Sequence, residues 1–535
     1  MALLKHAPLL VAAFLLKQIF AIPVVNNRQH GDSSCRKTGV VIIGAGVAGI
    51  TAAQALANQS VTDFLILEYN DDIGGRMRNT KFGSDEHGNP YTVELGANWI
   101  SGLGVEDGPE NPVWTFSKQV NLTSAYSDTS SIMTFDSTGA SNFINIIDEY
   151  EERWAVFEQN AGTILKENLQ DRSMRAALWQ SGWRARDARH KAVEWWMWDW
   201  ETAQTPEESS FVFGIAGYNL TYYGFSEDSN FSVDQRGFNA WLKGQAAKFL
   251  KANDTRLLFN TIATDVEYSD SGVKITNKDG SCIEASYAIN TVSLGVLQND
   301  AIQFSPELPE WKQSSIATFT MGTYTKIFLQ FPSTFWPTDT HFFLYAHPTT
   351  RGYYTVWQSL TAPDFLPGSN ILFATLVDEQ SHRVEAQDDE STKAEAMAVL
   401  RQMFPDIHVP DPIAFTYPRW SHTPWSYGSY SNWPAGTTLE MHQNLRANVG
   451  RLFFAGEATS AEYFGFLHGA WFEGQEVGRR IAGAMTNACW NVDSGCGEYW
   501  KYEELHGTTE YDEYNAYNGM SVSPFYVAGA GDEET

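Results

Sequence analysis

The sequence predicts an α/β protein of two interlocked domains, and three observations carry that expectation. Its 535 residues exceed what one ordinary hydrophobic core accommodates. A short β-branched run, Val40-Val-Ile-Ile43, meets glycines at Gly44, Gly46 and Gly49 and then an Ala-rich stretch. A second apolar run, Phe64-Leu-Ile-Leu67, ends in Glu68, 24 positions after Gly44. Strand, tight turn, helix and strand in that order make a unit of parallel sheet.

The elements follow along the chain. Met1 to Lys5 and the apolar stretch from Pro8 to Ala21, broken by Lys17, have the build of a signal peptide over residues 1–21 and are too short to span a bilayer. The mature protein is therefore expected to be secreted and soluble. Five Asn-x-Ser/Thr sequons, at Asn58, Asn121, Asn219, Asn230 and Asn253, agree with export. Four cysteines, Cys35, Cys282, Cys489 and Cys496, show no CxxC metal spacing, so no metal site is expected. An oxidising compartment permits disulfides, and all three connectivities stay open, with Cys489–Cys496 the most local pair.

Composition narrows the partners. Thirty-six Lys and Arg against 64 Asp and Glu leave a formal charge of −28; such a surface repels nucleic acid and anionic membrane and draws in cations. Nineteen Trp, 23 Tyr and 32 Phe are enough to fill cores and still line a pocket for a flat ring or an organic cation. No protein partner is evident.

The glycine triplet is a dinucleotide-binding fingerprint of the Rossmann type. Gly44 permits the turn, Gly46 lets the backbone approach a pyrophosphate, and Gly49 lets helix and strand pack closely. The helix N-terminus then offers free N–H groups and a positive dipole end, and Glu68 can accept bonds from ribose hydroxyls. At this point NAD and FAD remain undivided.

The segments beyond it divide them. Asp71-Asp-Ile-Gly74-Gly75-Arg76, Val93-Glu94-Leu-Gly96-Ala97-Asn98-Trp99, Arg451-Leu-Phe-Phe-Ala-Gly456-Glu457-Ala-Thr-Ser and Phe464-Gly465-Phe466-Leu-His468-Gly469-Ala470 resemble the signatures of the flavin amine oxidases. The resemblance runs from Gly39 to about Gly483. It implies that Arg76 reaches the FAD diphosphate and flavin. Residues 96–99 lie along the isoalloxazine, Glu457 meets the ribityl–phosphate region, and Ile262 and Trp420 belong to the cofactor wall. The first turn of the last helix faces the flavin N1–C2=O edge. Relatives that hold FAD covalently use a Cys near 457–466; this chain has none there, so FAD is expected to be non-covalent.

Within that family the wording is closest to the polyamine oxidases of the plant and fungal extracellular type. Asp234-Gln-Arg-Gly-Phe238, Ser293-Leu-Gly-Val-Leu297, Tyr324-Thr-Lys-Ile-Phe328, Arg351-Gly-Tyr-Tyr354, Tyr417-Pro-Arg-Trp420 and Ser429-Tyr-Ser-Asn-Trp-Pro434 carry the likeness. Period two places Tyr324 and Lys326 on one strand face. The resemblance makes Lys326 the lysine that holds a water beside flavin N5, where a bare sequence reading would leave it facing solvent. Glu94 and Glu201 are expected in the substrate tunnel, holding a polyamine through its ammonium groups; both count among the catalytic candidates. Tyr430 and Phe466 match the two rings that flank the reacting carbon–nitrogen bond. The reaction implied is hydride transfer from the α-carbon to flavin N5, imine hydrolysis to an aminoaldehyde and a diamine, and reoxidation by O2 to hydrogen peroxide.

The FAD domain is expected to be discontinuous, over 38–115, 232–305 and 437–488. The substrate domain, a mixed sheet flanked by helices, would be 116–231 and 306–436, with an acidic, poorly ordered tail at 489–535. Helical patterns run through Ile147–Leu169 and Asp187–Glu201; Phe342–Thr355 and Ile371–Val377 read as strands. Three other functions compete. An L-amino-acid oxidase on the same fold would need a buried Arg for a substrate carboxylate, with Arg351 and Arg419 as candidates. A protein that binds amine or flavin without turnover would not need Lys326. A chromatin-associated lysine demethylase would need a long helical insertion, which the sequence lacks.

Overall fold

The computed structural model describes residues 35–106, 108–167 and 169–486; the expected leader, the acidic tail and the Cys489–Cys496 pair lie outside them. Strand Arg36–Ile43 is central to an eight-stranded sheet, with Phe64–Leu67 parallel on one side and Cys282–Asn290 parallel on the other. Its β-branched run is apolar on both faces because both faces are covered. Val40 and Ile42 enter one hydrophobic core and Val41 and Ile43 another, which is the two-residue period of a strand acting on two layers. The antiparallel strands Gly272–Asn277 and Ala263–Ser269 extend the sheet, and Leu452–Phe454 joins it beside Cys282–Asn290.

The first helix, Val47–Asn58, packs against the last described one, Leu467–Thr486. Glycines set how closely. A Cβ on Gly474 would sit 2.3 Å from the Ala48 carbonyl oxygen, and one on Gly478 2.5 Å from that of Ala52. The two helices therefore approach backbone to backbone at these glycines, and both begin at the same cavity.

The second large sheet has seven strands and is mixed. Its order is Ala414–Thr416, Tyr324–Gln330, Ile371–Val377, Val356–Ser359, Phe342–Ala346, Ile132–Asp136, Gly139–Ala140. Only Phe342–Ala346 with Ile132–Asp136 is parallel. The α/β class with a mixed second sheet is thus as the sequence predicts, and Ile371–Val377 is a strand over its whole predicted length.

Three local expectations need correction. The strand read over Phe342–Thr355 ends at Ala346; Pro348 and Gly352, with φ +76° at the latter, turn the chain back into Val356–Ser359. A proline and a left-handed glycine are incompatible with a continuous strand. The helical pattern Ile147–Leu169 is two helices, Asn145–Glu151 and Trp154–Lys166. The segment Asp187–Glu201 begins at an Asp187 cap on the His190 N–H and runs Ala188–Glu194, but continues through a π-helical turn, Trp195–Asp199, before Trp200–Thr202. The disulfide joins Cys35 to Cys282, across 247 residues, at the start of the paired strands Arg36–Ile43 and Cys282–Asn290.

Candidate active site

The three glycines of the first turn do three different things. Gly44 has φ +109°, and a Cβ there would lie 2.6 Å from Thr291 Oγ1. Gly49 abuts the turn itself, since its Cβ would lie 1.9 Å from the Gly44 carbonyl oxygen. A Cβ on Gly46 would meet nothing within 4 Å, so that position opens on a cavity. Gly46 is also the N-cap of Val47–Asn58 and no side chain caps it, leaving first-turn N–H groups for an anion. A Cβ on Gly456 would likewise meet nothing, and one on Gly75 would meet only Gly46 Cα at 3.4 Å.

These positions bound a cavity of about 920 Å³. Every cofactor residue expected from the sequence lines it except Gly49, whose place is the helix–strand contact. Open glycine backbone, an uncapped helix N-terminus and this volume fit a long, diphosphate-bearing flavin nucleotide. The Glu68 carboxylate accepts from the N–H of Ala45 at 2.7 Å and of Asn70 at 2.8 Å, and burial holds its pKa above the usual carboxylate range despite those bonds. Arg76 and Glu457, 381 residues apart, form an ion pair at 2.7 Å. Arg76 also donates to the Ser429 carbonyl, and Glu457 accepts from Ser431 Oγ at 2.6 Å and the Gly465 N–H at 2.8 Å. The first and last signatures are thus tied directly. Among the described residues no cysteine is free and none lines the cavity.

Lys326 belongs to the same wall. All seven residues of Tyr324–Gln330 are buried, and Lys326 is 2% exposed, so it does not face solvent. Its ammonium donates to the Gly96 carbonyl at 2.6 Å and to Asn98 Oδ1, and lies 4.8 Å over the Trp99 ring. Burial pulls its pKa down to about 7, against the opposing influence of Glu94. Gly96 is pinned where it is because a Cβ would fall 1.8 Å from the Arg76 carbonyl oxygen and 3.2 Å from Trp420. The segment 96–99 is therefore a seat for one lysine made of a main-chain carbonyl, a side-chain amide and an aromatic ring.

The two predicted carboxylates separate. Glu201 lines the cavity with Tyr324, Tyr430 and Phe466. Its carboxylate accepts from Tyr222 Oη at 2.9 Å, and its carbonyl accepts from Tyr430 Oη at 2.9 Å. Burial raises it to about 7, with the Tyr222 bond acting the other way. Glu94 does not line the cavity. Its Oε1 accepts from the Phe238 N–H at 2.7 Å, Oε2 has no partner, and burial raises it to about 7. Glu94 ends strand Tyr91–Glu94 with Oε1 turned to the Phe238 backbone; its carbonyl accepts from Lys326 at 3.4 Å, and its carboxylate and the Lys326 ammonium act on each other electrostatically. Of the two carboxylates, Glu201 thus lines the cavity directly, and Glu94 stands behind the lining beside Lys326.

Sequence reasoning missed other acids of the wall. Asp148, Glu151 and Glu227 line the cavity; burial and then the charges of Asp148 and Glu227 raise Glu151. The first two stand three residues apart in a stretch read as helix, where their common face was the available signal. His468 was also missed. It bridges Asn111 Nδ2 at 3.2 Å and Thr221 Oγ1 at 3.1 Å, and Phe466 stacks on it at 5.1 Å. The two arginines of the amino-acid-oxidase alternative do not line the cavity. Arg351 pairs with Asp199, and Arg419 with Asp389.

Comparison with known proteins places this geometry. The family model described as flavin containing amine oxidoreductase matches residues 47–482. The chain is 38% identical over 489 residues to "Polyamine oxidase 1" of Zea mays, covering 87% of this chain and 93% of that protein. It is 37% identical over 452 residues to "Polyamine oxidase 7" of Oryza sativa subsp. japonica, covering 81% and 93%. Among solved structures, wild-type putrescine oxidase bound to putrescine matches with a TM-score of 0.65 at 17% identity, covering 85% of this chain and 100% of that one. At that identity the likeness is one of fold.

Proposed function

We propose that this chain, which belongs to the flavin containing amine oxidoreductases and is an FAD-dependent amine oxidase, acts outside the cell on the free polyamines spermidine and spermine. One observation carries the substrate class. The Glu201 carboxylate shares a cavity with Lys326, Tyr430 and Phe466, and Asp148, Glu151 and Glu227 stand along the same wall. Several carboxylates on one passage suit a substrate with several ammonium groups. Relatives named polyamine oxidases, 35–38% identical over most of the chain, support the same class.

When bound, FAD supplies the acceptor for a hydride from the substrate α-carbon and the route by which the electrons reach O2. The chain's own residues do the rest. Glu201 holds a distal ammonium, and the Tyr430 hydroxyl, bonded to the Glu201 carbonyl, fixes ring and carboxylate as one unit. Tyr430 and Phe466 keep water from the reacting nitrogen, which must be neutral to release electron density. Lys326, drawn to about 7 by burial, can give and take a proton at Nζ at neutral pH. Spermidine, O2 and water then yield 1,3-diaminopropane, 4-aminobutanal and hydrogen peroxide, with oxidation on the endo side of the secondary nitrogen. Chromatography of the diamine tests this: 1,3-diaminopropane is expected, and putrescine as main product would refute the endo assignment. Anaerobic bleaching of the oxidised flavin by spermine, but not by acetylated spermine at equal concentration, tests the substrate class.

For localisation, the leader, the Cys35–Cys282 disulfide and exposed sequons at Asn58, Asn121 and Asn253 support export. Asn219 is 1% exposed and bonded to Glu158 and Trp154, so it should remain bare. Peptide mapping of protein from culture medium, before and after deglycosylation, checks both points. A glycan on Asn219, or protein retained in the cytosol, contradicts them.

A further inference from the structure

Glu201 reaches the cavity from the end of an irregular helix, and the irregularity is held by a charge cluster outside the cavity. The π-helical turn Trp195–Asp199 is bracketed by Glu194 and Asp199, which are 0% and 1% exposed. Arg351 touches both. Its guanidinium binds the two Asp199 oxygens in a fork and reaches Glu194 Oε1 at 3.1 Å. Glu194 is held further by Arg175, with two bonds of 2.6 Å, and by Trp183 Nε1 at 2.9 Å.

The spacing matters more than the charges. Residues five apart on an α-helix point about 140° away from each other, because each residue turns about 100°. In a π turn, where bonds run from i to i+5, they return to nearly the same face. That arrangement brings residues 194 and 199 side by side, and here one guanidinium grips both. The loop that delivers Arg351 is itself seated on this turn: Gly352 has φ +76°, and a Cβ there would fall 2.8 Å from Trp195 Nε1. The extra residue turns everything downstream by about 100° relative to a plain α-helix. Glu201 lies two residues downstream, where its carboxylate meets Tyr222 and its carbonyl meets Tyr430.

We infer that Arg351 is a positioning residue for substrate selection: by bridging Glu194 and Asp199 it locks the π turn that aims Glu201 into the cavity. The inference rests on Glu201 holding a substrate ammonium. Arg351→Lys keeps a cation but not the planar fork, so it should free the turn without leaving the carboxylates bare. The expected result is unchanged FAD content, a specificity ratio (spermine over a monoamine, kcat/KM) at least tenfold lower through KM, and kcat within about threefold. The double variant with Glu201→Gln should lose no more than Glu201→Gln alone, because Arg351 acts through that carboxylate. An unchanged ratio, or losses that multiply in the double variant, overturns the inference. Should Arg351→Lys not fold, Asp199→Asn carries the same comparison. A crystal structure of the variant reads the register without any substrate. A regular helix through 195–199 with Glu201 off Tyr222 supports the lock, and an intact π turn removes it. If wild type itself shows no preference for spermine, the polyamine reading fails while the crystallographic arm still decides this one.

Discussion

Two stretches of one cavity wall are made from different parts of the polypeptide. The wall around Gly46, Gly75 and Gly456 is main chain, and its chemistry comes from absent side chains. The wall around Glu201, Lys326 and Tyr430 is side chain, and each group is held by partners distant in sequence. The first kind of wall tolerates almost no substitution because space is its function. The second can be tuned residue by residue, because a carboxylate or ring can change while its seat remains. A fixed way of holding a nucleotide can thus coexist with a choice of amine.

The largest effects of substitution are expected on the glycine wall. Gly49→Ala should give insoluble protein, since a Cβ 1.9 Å from the Gly44 carbonyl oxygen costs more than the roughly 4–5 kcal/mol that marks exceptional substitutions. Gly46→Leu should instead fold with ordinary thermal stability but bind no flavin, because its side chain would stand in the open cavity. Absorbance at flavin wavelengths beside a melting curve separates the two, and equal behaviour would erase the distinction between packing and ligand glycines.

Lys326→Met should keep its FAD and lose about 10²- to 10⁴-fold in turnover, the range for a positioned proton-transfer group. Stopped-flow with normal flavin reduction and normal reoxidation would return Lys326 to a merely structural role. FAD in wild type should also leave the chain on denaturation; flavin in the precipitate would show a covalent link.

Glu201→Gln should cut kcat/KM for spermine by about 10- to 100-fold, equivalent to about 1.5–3 kcal/mol for a hydrogen bond to a charged group, while a monoamine changes little. The sign with pH follows from burial. The carboxyl, raised to about 7, is neutral below that value and charged above it. In wild type the KM for spermine should therefore fall as pH rises from about 6 to 8, and in Glu201→Gln this share of the fall should vanish. The smallest effect is expected from Glu94→Gln, within about threefold on either substrate, because its carboxylate faces the Phe238 backbone. A large, spermine-selective loss there would place the Glu94 carboxylate on the passage.

What the sequence disclosed follows the same division. Glycines that need a turn, an approach or a close contact leave short local signatures, so Gly44, Gly46 and Gly49 were legible with their separate duties. The seat of Lys326 was legible through resemblance, although strand periodicity alone left it facing solvent; both faces of that strand are in fact covered. For Glu94, an acid within an apolar, glycine-rich segment says that the segment is buried, as it is, and not which way the side chain turns. The π turn was invisible, since patterns of period 3.6 contain no mark for an inserted residue and its clamp, Arg351, stands 152 residues from Asp199. Phe342–Thr355 was overextended by reading apolar residues through Pro348 and Gly352.

The ion pair between Arg76 and Glu457 has a bearing on manufacture. The ribosome must travel 381 residues past the arginine before its partner exists, and further still before Leu467–Thr486 can settle against the first helix. Until then the cavity lacks the part of its lining that Gly456, Glu457 and residues 464–470 supply. Chains that stop short of Glu457 are therefore expected to stay pale, so that yellowness in an expression screen should report translation at least through the last helix.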